Sequence, residues 1–153
     1  MAAFLHCSYG NGSCRNLPRM STSPALPLLG VHHIALICTD YAVSKAFYTE
    51  VLGLEIIREV YRAERASYKL DLALGGQYVL ELFSFPSPPP RPSRPEAAGL
   101  RHLAFAVADL AAAVQALAAR QVACEPVRTD ALTGRRFTFF SDPDGLPLEL
   151  YEA

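Results

Sequence analysis

Four residues recur in matched pairs along this 153-residue chain and could together hold a divalent metal: His33 with Glu81, and His102 with Glu149. The segment His33–Asp40 repeats as His102–Asp109 at an offset of 69 residues, and Val79–Phe83 repeats as Pro147–Tyr151 at an offset of 68. A lone strand histidine is commonly an ordinary half-buried polar residue, and a lone strand glutamate usually faces water. Recurrence of both types at matched places in two copies argues instead for groups that converge in space. Each glutamate also lies between leucines, Leu80 and Leu82 or Leu148 and Leu150. An unpaired carboxylate in such surroundings is costly to desolvate, and metal ligation is one way to offset that cost. His6 and His32 have no repeat partner and are expected to be nonligands.

The chemistry of such a set is specific. An ion held by two neutral imidazoles and two carboxylates is close to electrical neutrality. If six-coordinate, it keeps two positions for neighbouring oxygens of a substrate, where a Lewis acid stabilises an enediolate and eases removal of the adjacent proton. A glutamate that loosens from the ion can take that proton. One divalent ion per site is expected, with nickel or zinc preferred and cobalt, manganese or iron also compatible with nitrogen and oxygen donors.

The elements that must carry these groups follow from local patterns. Alternation puts His33, Ala35 and Ile37 on one face of a strand and Ile34, Leu36 and Cys38 on the other, the second face suited to helix packing. Asp40 is a good N-cap, Val43, Phe47 and Val51 recur at helical spacing, and Gly53 stops the helix. Strands are predicted over Glu55–Arg62, Tyr68–Leu74 and Gln77–Phe83, the last two joined by the two-residue turn Gly75-Gly76, with Val79 and Phe83 sharing the face of Glu81. The second copy repeats the order. Asp109 caps a helix with Leu110, Val114 and Leu117 on one face, and strands are predicted over Val122–Arg128, Arg136–Ser141 and Leu146–Glu152. Asp142-Pro143-Asp144-Gly145 forms the turn before the last.

Composition narrows the partners. A net charge of −1 and a pI near 6.4 give no basic field for nucleic acid. No apolar run reaches the roughly 18 residues a membrane helix needs, and the first residues lack a secretory pattern, so a cytoplasmic protein is expected. Cys7, Cys14, Cys38 and Cys124 are too scattered for a disulfide framework and are expected to be reduced and without function. Residues 1–29 carry Gly, Ser, Asn and Pro without sustained period and read as a disordered extension. One domain is then expected over 30–153, with module one at 30–85, a linker at 86–98 and module two at 99–153. Six of the twelve prolines fall between Pro86 and Pro95, which suits an extended spacer. The same segment could be an SH3-type ligand, or a lid placing Arg91 and Arg94 over a site.

From about Val31 to Tyr151 the sequence resembles the vicinal oxygen chelate superfamily, most closely its glyoxalase I-like branch, within the glyoxalase, bleomycin resistance protein and dioxygenase family. The resemblance rests on Val31-His32-His33-Ile34-Ala35, on Asp40 to Tyr48, on Arg91-Pro92-Ser93-Arg94-Pro95-Glu96 and on Phe137 to Gly145. These stretches are similar to a bacterial subgroup of glyoxalase-like proteins. The resemblance implies an α+β fold of two tandem βαβββ modules forming a curved, barrel-like mixed sheet around a metal, often with sites completed across a homodimer. It implies metal ligands at His33, Glu81, His102 and Glu149, with Glu149 in the position usually assigned the catalytic base.

The implied activity is that of a lactoylglutathione lyase-like enzyme acting on a small carbonyl or thiohemiacetal substrate. Glutathione is disfavoured by two departures: Ile37 stands where an arginine commonly helps hold it, and Phe85 where a polar residue is usual. Candidate replacements for anion binding are Arg62, Arg65, Lys69 and Arg101. Epimerases of the methylmalonyl-CoA type, thiol transferases, and noncatalytic drug-binding proteins of the bleomycin-resistance type are the alternatives. The fourth ligand, Glu81, argues against an extradiol dioxygenase. Deleting residues 1–19 should leave metal content and melting temperature unchanged, as read by elemental analysis and thermal unfolding.

Overall fold

Ile34, Leu36 and Cys38 turn inward in the first strand, while Ala35 and Ile37 are exposed, as the alternation predicts. The computed structural model describes residues 26–153, of which Val31–Ala153 form one compact unit. The expectations for His6, Cys7 and Cys14, and for the extension as far as residue 25, lie outside the described residues.

Strand β1 (Ile34–Cys38) leads into helix α1 (Tyr41–Ala46), which continues as a π-helical turn over Phe47–Val51. Asp40 caps α1 by accepting a hydrogen bond from the Val43 amide at 3.1 Å, and Gly53 stands just beyond the turn with φ +75°. Strands β2 (Glu55–Arg62), β3 (Ser67–Leu74) and β4 (Gln77–Ser84) complete the first module. The β3–β4 turn is Gly75-Gly76 with both φ positive, the conformation a two-residue hairpin of this twist requires. The second module repeats the order in β5 (Leu103–Val107), α2 (Leu110–Ala119), β6 (Arg128–Thr129), β7 (Arg136–Ser141) and β8 (Pro147–Glu152), with Asp109 capping α2.

Each module makes its own four-stranded mixed sheet, in the orders β1-β4-β3-β2 and β5-β8-β7-β6. The first strand of each pairs in parallel with the last and the others are antiparallel. The sheets are thus two separate units, not one closed barrel. Leu70, Leu72, Leu80 and Leu82 from one module and Leu148 and Leu150 from the other belong to one buried core with Tyr48, Leu110 and Leu117.

Two predicted elements differ from the structure. The strand expected over Val122–Arg128 is reduced to Arg128–Thr129. Pro126 has no amide hydrogen to offer a ladder, and the segment is held instead by the Glu125 amide on the Phe139 carbonyl at 2.7 Å and the Thr138 hydroxyl on the Glu125 carbonyl at 2.7 Å. The proline-rich linker is more than an extended spacer. Ser93 donates to the Gly145 carbonyl at 2.8 Å, and the Arg91 guanidinium donates to the Leu100 carbonyl at the surface.

The turn before β8 ties the modules together. Thr39 donates its amide and hydroxyl to Asp144, and the buried Tyr48 hydroxyl donates to Asp142 at 2.8 Å. Asp142 also accepts from the amides of Asp144 and Leu146, at 3.0 and 2.8 Å. Burial raises the Asp142 pKa, and these hydrogen bonds only partly offset it. A carboxyl raised in this way favours the fold most below its unfolded value of about 3.9 and loses that contribution as pH rises through the folded value. Asp142→Asn keeps the acceptor for both amides and removes the buried charge. Its stability relative to wild type in urea titrations should therefore grow between about pH 4 and pH 7. Asp142→Ala, which leaves the amides without an acceptor, should lose about 1–3 kcal/mol throughout.

Candidate metal centre

Parallel pairing fixes the surroundings of each glutamate. Glu81 on β4 lies between Ala35 of β1 and Asp71 of β3, while Glu149 on β8 lies between Ala104 of β5 and Phe139 of β7. The small alanines leave each carboxylate room on the side from which the histidine approaches. His33 precedes β1 and His102 precedes β5, and both glutamates are buried. His33 Nε2 stands 3.3 Å from Glu81 Oε2, and His102 Nε2 stands 3.1 Å from Glu149 Oε2.

These spacings suit two donors on one ion. Ligand bonds of about 2.1 Å meeting at roughly 100° separate the donor atoms by about 3.2 Å, and the 3.1 Å pair also lies within the roughly 2.7–3.2 Å of an N–H···O bond. The imidazoles are held from behind in different ways. His33 Nδ1 is 2.8 Å from His32 Nδ1, and the His33 ring stacks on Tyr78 at 5.2 Å. If Nδ1 of His33 carries the proton, Nε2 presents its lone pair beside Glu81. His102 packs against the Phe139 ring at 5.2 Å, and its Nδ1 is buried without a hydrogen-bond partner among the described residues.

The four residues therefore come together as two His–Glu pairs. Among the described residues no three His, Cys, Asp or Glu side chains cluster as a metal site within the chain. Glu81 is not left unpaired, because Lys69 Nζ sits 2.5 Å from its Oε1 and the Tyr78 hydroxyl donates to the same oxygen. Burial opposes ionisation of Glu81, but these donors outweigh it and hold its pKa below the usual range. Asp71, 2% exposed, anchors this cluster through Lys69 and Arg58, each at 2.6 Å. Burial likewise opposes its charge and is outweighed by the two cations.

Sequence reasoning missed this network. A β-bulge between Leu72↔Leu80 and Ala73↔Tyr78 adds Val79 to β4 and shifts the alternation. Val79 therefore packs against the core, contrary to its predicted place beside Glu81, and Tyr78 occupies that side.

Glu149 has a different setting, a cavity of about 460 Å³ lined by Arg94, Arg101, His102, Arg128, Phe137 and Phe139. The Arg128 guanidinium lies over both phenyl rings, at 5.0 and 5.2 Å, and pairs with Glu125 at 3.0 Å. Of the four cations proposed for anion binding, Arg101 lines this cavity and Lys69 is committed to Asp71 and Glu81. Arg62 lies over Phe83 at 4.8 Å and Arg65 is exposed. Burial pushes the Cys38 thiol up to about 11, consistent with an unreactive thiol, and raises that of Cys124. No helix among the described residues is long and apolar enough to cross a membrane.

The paired βαβββ modules, each with a His–Glu pair at the same place in its sheet, define a vicinal oxygen chelate fold. Residues 30–150 match the Glyoxalase/Bleomycin resistance protein/Dioxygenase superfamily, and the chain belongs to it. It is 67% identical over 127 residues to the uncharacterized protein YaeR of Escherichia coli, covering 83% of this chain and 98% of that protein. The crystal structure of a glyoxalase family protein from Enterococcus faecalis superposes with a TM-score of 0.76 at 48% identity, over 81% of this chain and 98% of that one. A 2-epi-5-epi-valiolone epimerase from Actinomyces is 32% identical over 143 residues, covering 80% and 78% of the two chains.

The two carboxylates should respond differently to substitution in chelator-treated protein. Asp71→Asn, which loosens both of its cations, should cost about 1–3 kcal/mol in urea unfolding. Glu149→Gln removes a buried charge that faces only His102 among the described residues, so it should leave stability unchanged or raise it, the opposite sign to Asp71→Asn.

Proposed function

We propose that this protein is a divalent-metal-dependent enzyme of the glyoxalase I type, moving a proton between adjacent carbons of a small carbonyl or thiohemiacetal substrate. The observation that carries the reading is the duplicated His–Glu pair, with Nε2 and Oε2 spaced at 3.3 and 3.1 Å as neighbouring ligands would be. His33 and Glu81 of one chain would supply half of the donor set, and His102 and Glu149 of a second copy the other half, making the protein a homodimer. Two donors are too few for a closed divalent site, and four leave room for substrate oxygens. When bound, the ion supplies Lewis-acid stabilisation of negative charge on those oxygens, with nickel or zinc preferred.

The chain's own groups divide the remaining work. Glu149 is the base: beyond His102, no hydrogen bond or ion pair restrains its carboxylate among the described residues, so it is free to take and return a proton. As ligands the imidazoles would each present the Nε2 lone pair to the ion. Phe137 and Phe139 give the cavity apolar walls that limit water around the reacting carbon, and Arg101 and Arg128 stand where a negatively charged substrate group would be held.

The similarity to an epimerase favours a second reading, proton removal and return at a single carbon, because it needs the same base and the same stabilised oxygen. The closeness of the relatives gives no preference for glutathione, and Ile37 and Phe85 still stand against it.

Mixing variants separates a shared site from one within a chain. His33→Ala and His102→Ala should each lose most bound metal by elemental analysis. Unfolded together and refolded as mixed dimers, they should recover one intact site in every heterodimer. No recovery would contradict a site shared between copies. Glu149→Gln should abolish exchange of solvent deuterium into a bound carbonyl compound, by mass spectrometry, and retained exchange would move the base elsewhere.

A further inference from the structure

Lys69 faces the same carboxylate that the metal reading assigns as a ligand, and it is built in from below. Its ammonium lies 2.5 Å from Glu81 Oε1 and 2.6 Å from Asp71 Oδ1. Asp71 is 2% exposed and cannot move away, since Arg58 Nε and Nη2 hold its other oxygen at 2.9 and 2.6 Å. The Tyr78 hydroxyl, brought to this face by the β-bulge, donates to Glu81 Oε1 and lies 3.2 Å from Asp71 Oδ1. Both donors therefore occupy one oxygen of Glu81. The other oxygen, Oε2, is the one beside His33 Nε2.

Nothing equivalent surrounds Glu149 among the described residues. At the positions matching Lys69 and Asp71, the second module carries Phe137 and Phe139. Two carboxylates related by the repeat are thus treated in opposite ways, one clamped at a single oxygen and one left free beside aromatic walls.

We propose that Lys69, anchored by Asp71 and assisted by Tyr78, is a positioning residue that restricts Glu81 to binding a metal through Oε2 alone. This rests on the reading that Glu81 is a metal ligand. The physical reason is competition for lone pairs. An ammonium and a phenol on Oε1 withdraw that oxygen from the ion, so Glu81 contributes one bond and the coordination number stays low enough to admit substrate oxygens. The clamp also keeps Glu81 from exchanging roles with Glu149, whose free carboxylate carries the proton.

Cobalt(II) provides a readout independent of turnover, because its visible absorption weakens as coordination number rises. Full-length wild type, Lys69→Met, Lys69→Arg and Tyr78→Phe should be loaded with Co(II), the bound metal counted, and the spectra compared. Lys69→Met should bind Co(II) but lose visible intensity as Oε1 joins the ion. Lys69→Arg, which can still reach both carboxylates, should recover most of it. Tyr78→Phe keeps the Lys69–Asp71 pair and should give a smaller loss in the same direction, so the test survives if Lys69→Met fails to fold. Spectra of Lys69→Met and Tyr78→Phe that superimpose on wild type, with Co(II) bound in all, would overturn the clamp and leave Glu81 a ligand. Failure of wild type to bind Co(II), or undiminished binding by Glu81→Ala, would overturn both.

Discussion

Bringing a carboxylate into the middle of an apolar strand requires a positive partner, and the whole arrangement follows from how this chain meets that requirement twice. Leucines on either side of Glu81 and Glu149 hold β4 and β8 against the core, and the alternation of the strand then obliges each carboxylate to face the opposite way. Ala35 and Ala104 keep that face open, and His33 and His102 bring an imidazole to one oxygen. In the first module Lys69 completes the compensation. In the second, only the imidazole stands within reach of Glu149 among the described residues, which makes this the half that most needs a cation.

The difference between the halves matters for function. A duplicated module would be expected to supply equivalent groups, yet β3 carries Lys69 and Asp71 where β7 carries Phe137 and Phe139. A rigid, charged floor under one pair and an apolar, arginine-flanked cavity over the other suit a fixed ligand and a mobile base. The turn Asp142–Gly145 couples them structurally, because it leads into the strand of Glu149 while receiving hydrogen bonds from Thr39 and Tyr48 of the first module. The linker joins the same turn through Ser93 and brings Arg94 to the cavity.

Most of the frame was legible in the sequence, since its signals are local. Asp40 and Asp109 announced their helices, Gly75-Gly76 its hairpin, and Ile34, Leu36 and Cys38 the buried face of β1. The repeat pointed to one centre holding all four residues, whereas among the described residues of one chain they stand as two separate His–Glu pairs. What escaped depends on register between strands. No local pattern marks the bulge that turns Val79 inward and Tyr78 toward Glu81, nor the alignment that puts Asp71 opposite Glu81. Without that alignment Lys69 reads as a candidate for anion binding and Glu81 as a carboxylate with no partner but a metal. Pro126 is visible in the sequence, but the apolar pattern around it outweighs the signal that the strand begins only at Arg128.

The central claim is that the two His–Glu pairs, each from a different copy of the chain, close on one ion. Anomalous scattering from crystals grown with manganese tests it directly. The account predicts one strong peak per chain, within bonding distance of His33 Nε2 and Glu81 Oε2 of one protomer and of His102 Nε2 and Glu149 Oε2 of its partner. A peak held by one pair alone, or placed away from both, would contradict it.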